Sequence, residues 1–100
     1  MKIQDIIWLD VFVEKIWRKH QVLTVEVEEA LYSSPEIRFI EKGDVKGENV
    51  YAAMGKSRAG KYIITFFIKK AGDIALVISA RNMTKRERKL YGRKKEKLNP

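Results

Sequence analysis

Six side chains in this 100-residue sequence have the chemistry to act on a phosphodiester: His20, Lys61, Arg81, Glu87, Arg88 and Tyr91. Cutting an RNA strand without a metal needs three things: a base for the 2′-hydroxyl proton, a cation for the charge building on phosphorus, and an acid for the leaving 5′-oxygen. Histidine titrates near neutral pH. Arginine grips phosphate through two parallel hydrogen bonds. Each of these residues also has a structural reading. A lone histidine closing a helix more often serves as a C-terminal cap. Glu87 stands three residues after Thr84, the spacing of a capping box. Tyr91, with Leu90, supplies the core contact of a helix that has few other apolar residues. Arg81, between Ile78-Ser79-Ala80 and that capped helix, is the residue whose position least suits a structural role.

Other chemistries lack their residues. With no cysteine and a single histidine there is no thiol nucleophile, no disulfide framework and no zinc or magnesium ligand set. Gly55 and Gly60 have the spacing of a phosphate loop, but they lead into a strand and lack the following Lys-Ser or Lys-Thr. No cofactor is expected.

The net charge is +8. From Arg81 to Lys97 nine basic residues face two acids, so this segment carries +7 and the remaining 83 residues only +1. A cationic end on a nearly neutral body is a footprint for a polyanion, and RNA or DNA fits better than membrane because no large apolar face accompanies the charge. Lys61, Lys85 and Lys89 are the lysines expected to hold an RNA backbone. The last residues read equally well as a solubilising tail.

These groups need a scaffold. One hundred residues, 45% of them hydrophobic, suffice for a single domain, expected over residues 1–92 with a basic tail over 93–100. The N-terminus resembles neither a signal peptide nor a membrane span, which places the protein in the cytoplasm by default. Ile6 to Leu9 reads as a short strand, followed by a helix from an Asp10 cap to about His20. A second helix is expected from a Thr24 cap to Ser33-Ser34-Pro35. Strands follow at Ile37 to Ile40, Val50 to Gly55, Tyr62 to Ile68 and Ile74 to Ala80. Gly60 and Gly72 supply positive φ for short turns, so the last three strands form an antiparallel meander. Tyr62 to Ile68 has almost no polar alternation and is expected to be the central strand. The expected class is α+β: an antiparallel sheet with one helical layer and a final basic helix.

Several segments together resemble a known family. They are Trp8; Glu14-x-Ile16-Trp17-Arg18-Lys19-His20-x-Val22; Val27-Glu28-Glu29-Ala30-Leu31 with Ser34-Pro35; Ala53-x-Gly55; Ala59-Gly60-x-Tyr62; and Ile78-Ser79-Ala80-Arg81-x-Met83-Thr84-x-x-Glu87-Arg88-x-x-Tyr91. In order and spacing, from about residue 6 to 92, the chain resembles the BrnT family of type II toxin–antitoxin toxins. The resemblance implies a RelE-like fold, a ribonuclease activity that inhibits translation, and neutralisation by a small antitoxin with a DNA-binding region. It also implies that His20, Arg81, Glu87, Arg88 and Tyr91 form the site. Four residues depart from the family's pattern. Leu9 replaces an acid, Phe12 a frequent asparagine, Gln21 a glycine and Lys61 an arginine. Leucine and phenylalanine offer no hydrogen bonds to a phosphate or base, so these departures bear on catalysis more than on fold.

Two other readings stand beside the toxin. One is a non-catalytic module, derived from such a toxin, that binds RNA or the antitoxin. The other is a small stable protein whose Lys- and Glu-rich surface reflects growth at high temperature.

Overall fold

Segments rich in Ile, Val, Phe and Tyr pair into a five-stranded sheet. The computed structural model describes residues 1–98, with side chains through residue 94. The elements in chain order are β1 (Asp5–Ile7), α1 (Asp10–His20), α2 (Thr24–Leu31), β2 (Glu36–Glu41), β3 (Val50–Lys56), β4 (Tyr62–Lys70), β5 (Ile74–Asn82) and α3 (Lys85–Leu98). The sheet order is β1-β5-β4-β3-β2. Strands β2 to β5 form an antiparallel meander, as expected of the last three. The wholly antiparallel sheet is corrected at one edge, where β1 pairs parallel to β5 through Asp5↔Ile74, Ile6↔Ala75 and Ile7↔Leu76. A parallel pair needs a long crossover, and here the chain between β1 and β5 includes both N-terminal helices.

Strand β4 is central, and its uninterrupted apolar run is explained by cover on both faces. Ile63 and Phe67 are fully buried in a core with Ile16 of α1, Val27, Ala30 and Leu31 of α2, and Ala53, Val77 and Ala80 of the sheet. Ile64, on the other face, joins Ala52, Met54, Met83 and Tyr91. The single helical layer expected from sequence is therefore corrected to two. Helices α1 and α2 cover one face, while α3 packs through Leu90 and Tyr91 on the opposite one.

Gly55 sets how closely α2 approaches. A Cβ there would stand 2.5 Å from the Ala30 carbonyl oxygen and 3.1 Å from the Ser33 hydroxyl, so only glycine lets the end of α2 lie directly on β3. At the β3–β4 turn Gly60 takes φ +87°, and at the β4–β5 turn Gly72 takes +82°, both as expected.

The helix starts differ from the sequence reading in two cases of three. Leu9, not Asp10, is the N-cap of α1, and its carbonyl accepts the Phe12 and Val13 amides. Asp10 sits in the first turn, where its charge suits the dipole. Leu23 precedes α2, its amide donating to Glu26 Oε1 at 2.9 Å, and Thr24 is the first helical residue. The third start is as read. The Glu87 amide donates to Thr84 Oγ1 at 3.1 Å, and the Thr84 amide donates to Glu87 Oε1 at 2.9 Å. Helix α3 continues to Leu98, past the expected domain boundary at residue 92. Among the described residues no helix is long and apolar enough to cross a membrane.

Candidate functional site

Strand register decides which side chains share the α3 face. Arg81 of β5 pairs with Ile64 of β4, Ile64 with Met54 of β3, and Met54 with Glu36 of β2. These four form one row across the sheet. Two residues further along, Lys56 pairs with Tyr62 and points to the same face, because successive side chains alternate. Helix α3 lies over this region with Glu87, Leu90, Tyr91 and Lys94 at the i, i+3, i+4 and i+7 spacing of one stripe. The middle pair enters the core, and each charged end meets an opposite charge on the row. Glu87 meets Arg81 at 2.7 Å, and Lys94 meets Glu36 at 3.6 Å.

Arg81 and Glu87 bond fork to fork. Nη1 donates to Oε1 at 2.7 Å and Nη2 to Oε2 at 3.0 Å, while Nη1 also donates to the Asn82 carbonyl at 3.2 Å. Those bonds use three of the five guanidinium N–H groups, leaving two for a ligand. The guanidinium also sits 5.7 Å from the Phe66 ring centroid. The hydrogen bond to Glu87 raises the Arg81 pKa above its ordinary value. The same bond, opposed by burial and aided by the Thr84 amide, holds Glu87 below the usual carboxylate range. Glu87 is thus a firmly ionised anchor for Arg81 and for the start of α3, and a weak proton acceptor.

At the next residue of α3, the Arg88 guanidinium lies 4.2 Å from the Tyr62 ring centroid, and Lys56 Nζ lies 5.0 Å from it. The Tyr91 ring meets Tyr62 edge to face at 6.0 Å. Tyr91 is buried, and burial pushes its phenol pKa up, so at neutral pH the hydroxyl stays protonated. Lys56, Tyr62, Arg88, Lys89, Tyr91 and Gly92 line an open cleft of about 430 Å³.

The sequence candidates separate accordingly. Arg81, Glu87, Arg88 and Tyr91 come together on the α3 face, and Lys89 lines the same cleft. His20 is the last residue of α1, in a basic final turn with Arg18 and Lys19. The sheet lies between that helix and α3. Lys61 borders a smaller groove with Tyr62, Asn82, Met83 and Arg88, but its ammonium is held by Glu26 of α2 at 2.8 Å. Lys85 is exposed at the start of α3. Two residues of the cluster, Lys56 and Tyr62, were not among the sequence candidates. Their signal was the short β3–β4 turn, which places the residue closing β3 opposite the one opening β4. Among the described residues no three His, Cys, Asp or Glu side chains cluster to hold a metal ion.

A mixed five-stranded sheet with three helices is also the fold of a solved ribonuclease toxin. The 1.1 Å crystal structure of the Brucella abortus ribonuclease toxin BrnT matches this chain with a TM-score of 0.59, covering 81% of it and 97% of the toxin. Sequence identity is 19%, so the likeness is one of fold. Neither family profiles nor curated protein sequences give a match.

Proposed function

We propose that this protein is the toxin of a type II toxin–antitoxin pair: a metal-independent, RelE-like ribonuclease that cleaves RNA, inhibits translation in the cytoplasm and is neutralised by a small antitoxin with a DNA-binding region. The observation that carries this reading is the convergence of Arg81, Arg88, Lys56 and Lys89 with Tyr62 and Tyr91 on one face of a fold shared with a ribonuclease toxin.

In this reading the two N–H groups that Arg81 keeps clear of Glu87 and Asn82 stabilise charge on phosphorus. Glu87 fixes their direction, Arg88 adds a second cation, solvent water takes the 2′-hydroxyl proton as that oxygen bonds to phosphorus, and Tyr91 gives its proton to the leaving 5′-oxygen and is reprotonated from solvent. His20 keeps its place in the cationic last turn of α1. An antitoxin silences such a surface by covering the cations with acidic and apolar groups. A second reading, a non-catalytic binding module, is favoured by one observation. The face that gathers the cations includes no His20, and its one carboxylate beside Arg81 is already committed to hydrogen bonds.

The test is incubation of the antitoxin-free protein with naked RNA and with translating ribosomes. Defined RNA fragments from either support the toxin. Intact RNA in both, together with retained RNA binding, selects the non-catalytic module.

A further inference from the structure

Six cations among the described residues face a carboxylate: Arg58, Lys61, Lys69, Lys70, Arg81 and Lys94. Lys56, Arg88 and Lys89 have no ion-pair partner among the described residues, and all three line the same cleft, to which no acid contributes. Unneutralised charges crowded at one place repel each other, so their gathering calls for an anion.

Tyr62 organises them. Its ring is within 4.2 Å of the Arg88 guanidinium and 5.0 Å of the Lys56 ammonium, separations at which the ring quadrupole attracts both. Arg88 is exposed, so the side of its guanidinium turned away from the ring is open to a ligand. A planar cation backed by an aromatic ring is a platform on which an unpaired base stacks, and flanking ammonium groups suit the phosphate attached to that base.

We infer that this cleft, on the same face of the sheet as Arg81, is a subsite for one nucleotide of single-stranded RNA, with Tyr62 as a positioning residue that holds Arg88 under the base while Lys56 and Lys89 take the phosphate. The inference rests on the ribonuclease reading and adds to it the strandedness of the substrate. A duplex keeps its base faces stacked away from such a platform, and an acidic peptide offers charge without a flat ring.

The experiment measures binding of the full chain to a fluorescent single-stranded oligonucleotide whose 2′-O-methyl groups prevent cleavage, by anisotropy at several salt concentrations. Tyr62→Leu is expected to weaken binding roughly tenfold, on the scale of one stacking contact, while Tyr62→Phe binds as the unmutated chain does. Lys56→Gln and Lys89→Gln should each reduce the salt slope by about 0.7, the value for one lost phosphate contact on a single strand. Unchanged affinity in Tyr62→Leu overturns the inference. So does an unchanged slope in Lys89→Gln, an exposed position whose substitution leaves the core intact even if Tyr62→Leu fails to fold. Equal binding of the corresponding duplex or of a poly-glutamate peptide also overturns it. Because this probe cannot be cut, the subsite fails on binding, whereas the ribonuclease reading fails on cleavage of ordinary RNA.

Discussion

Arg81 at the end of β5 and Glu87 in the first turn of α3 hold each other through two parallel hydrogen bonds of 2.7 and 3.0 Å, and the same carboxylate accepts the Thr84 amide that opens the helix. Strand end, helix start and arginine are therefore one unit. The Glu36–Lys94 pair closes the other end of the row. From Arg81 to Glu36 the row spans three strand spacings, about 14 Å. From Glu87 to Lys94 the helix rises about 10 Å, and the long arginine and lysine side chains cover the rest. An ion pair thus pins each end of the α3 stripe to the sheet.

Acid should loosen that unit. The Glu87 pKa is lowered in the fold, chiefly by Arg81, so its contribution to stability is complete above the ordinary glutamate pKa of about 4.3 and is lost as pH falls through the lower folded value. With side chains 32% and 24% exposed, the pair is screened, and Glu87→Gln is expected to cost only about 1 kcal/mol at neutral pH, including the weakened cap. Denaturant melts from pH 7 down to 3 should show a smaller loss of stability in the variant than in the parent. Parallel curves would contradict the assignment.

Thr65 should tolerate loss of its polarity. It sits on the central strand with no solvent exposure, and its hydroxyl has no hydrogen-bond partner. Thr65→Val removes a buried unsatisfied group at nearly constant volume and is expected to stabilise the fold by about 1 kcal/mol. A lower denaturation midpoint would show that the hydroxyl is satisfied in solution.

Much of the scaffold was legible because it depends on local patterns. The apolar run from Tyr62 to Ile68 marked the central strand, Thr84 and Glu87 marked the start of α3, and Gly60 and Gly72 marked two turns. The parallel placement of β1 was not legible, because a three-residue strand has too few side chains to specify its partner or direction. Nor was the side of the sheet that α3 takes. That choice depends on whether Leu90 and Tyr91 meet Ile64 or Ile63, which is set by register across the sheet. Arg81, Glu87, Arg88 and Tyr91 are identifiable by type and by family resemblance, and the packing of α3 on the sheet sets them on one face. Lys56 and Tyr62 were not candidates, since their chemistry arises only from being cross-strand neighbours below Arg88.

Gly55 should be intolerant of any side chain. Alanine would place Cβ 2.5 Å from the backbone oxygen of Ala30, and a packed helix end cannot yield that distance without shifting. Gly55→Ala is expected to destabilise the protein by about 2 kcal/mol, read from chemical denaturation. Unchanged stability would mean that α2 moves freely over β3.

The most direct measurement is single-turnover cleavage of an RNA substrate by the unmutated chain and by Arg81→Lys, alongside their affinities for the same RNA in uncleavable form. Lysine keeps the charge but cannot reproduce the fork that Glu87 aims. The cleavage rate is therefore expected to fall roughly 10²- to 10³-fold, the scale of losing one preorganised donor, while affinity changes little. His20→Gln, altering a residue carried by the helix on the other face of the sheet, is expected to leave most of the rate. Full cleavage by Arg81→Lys, or a loss confined to His20→Gln, would contradict the placement of the active centre on the α3 face.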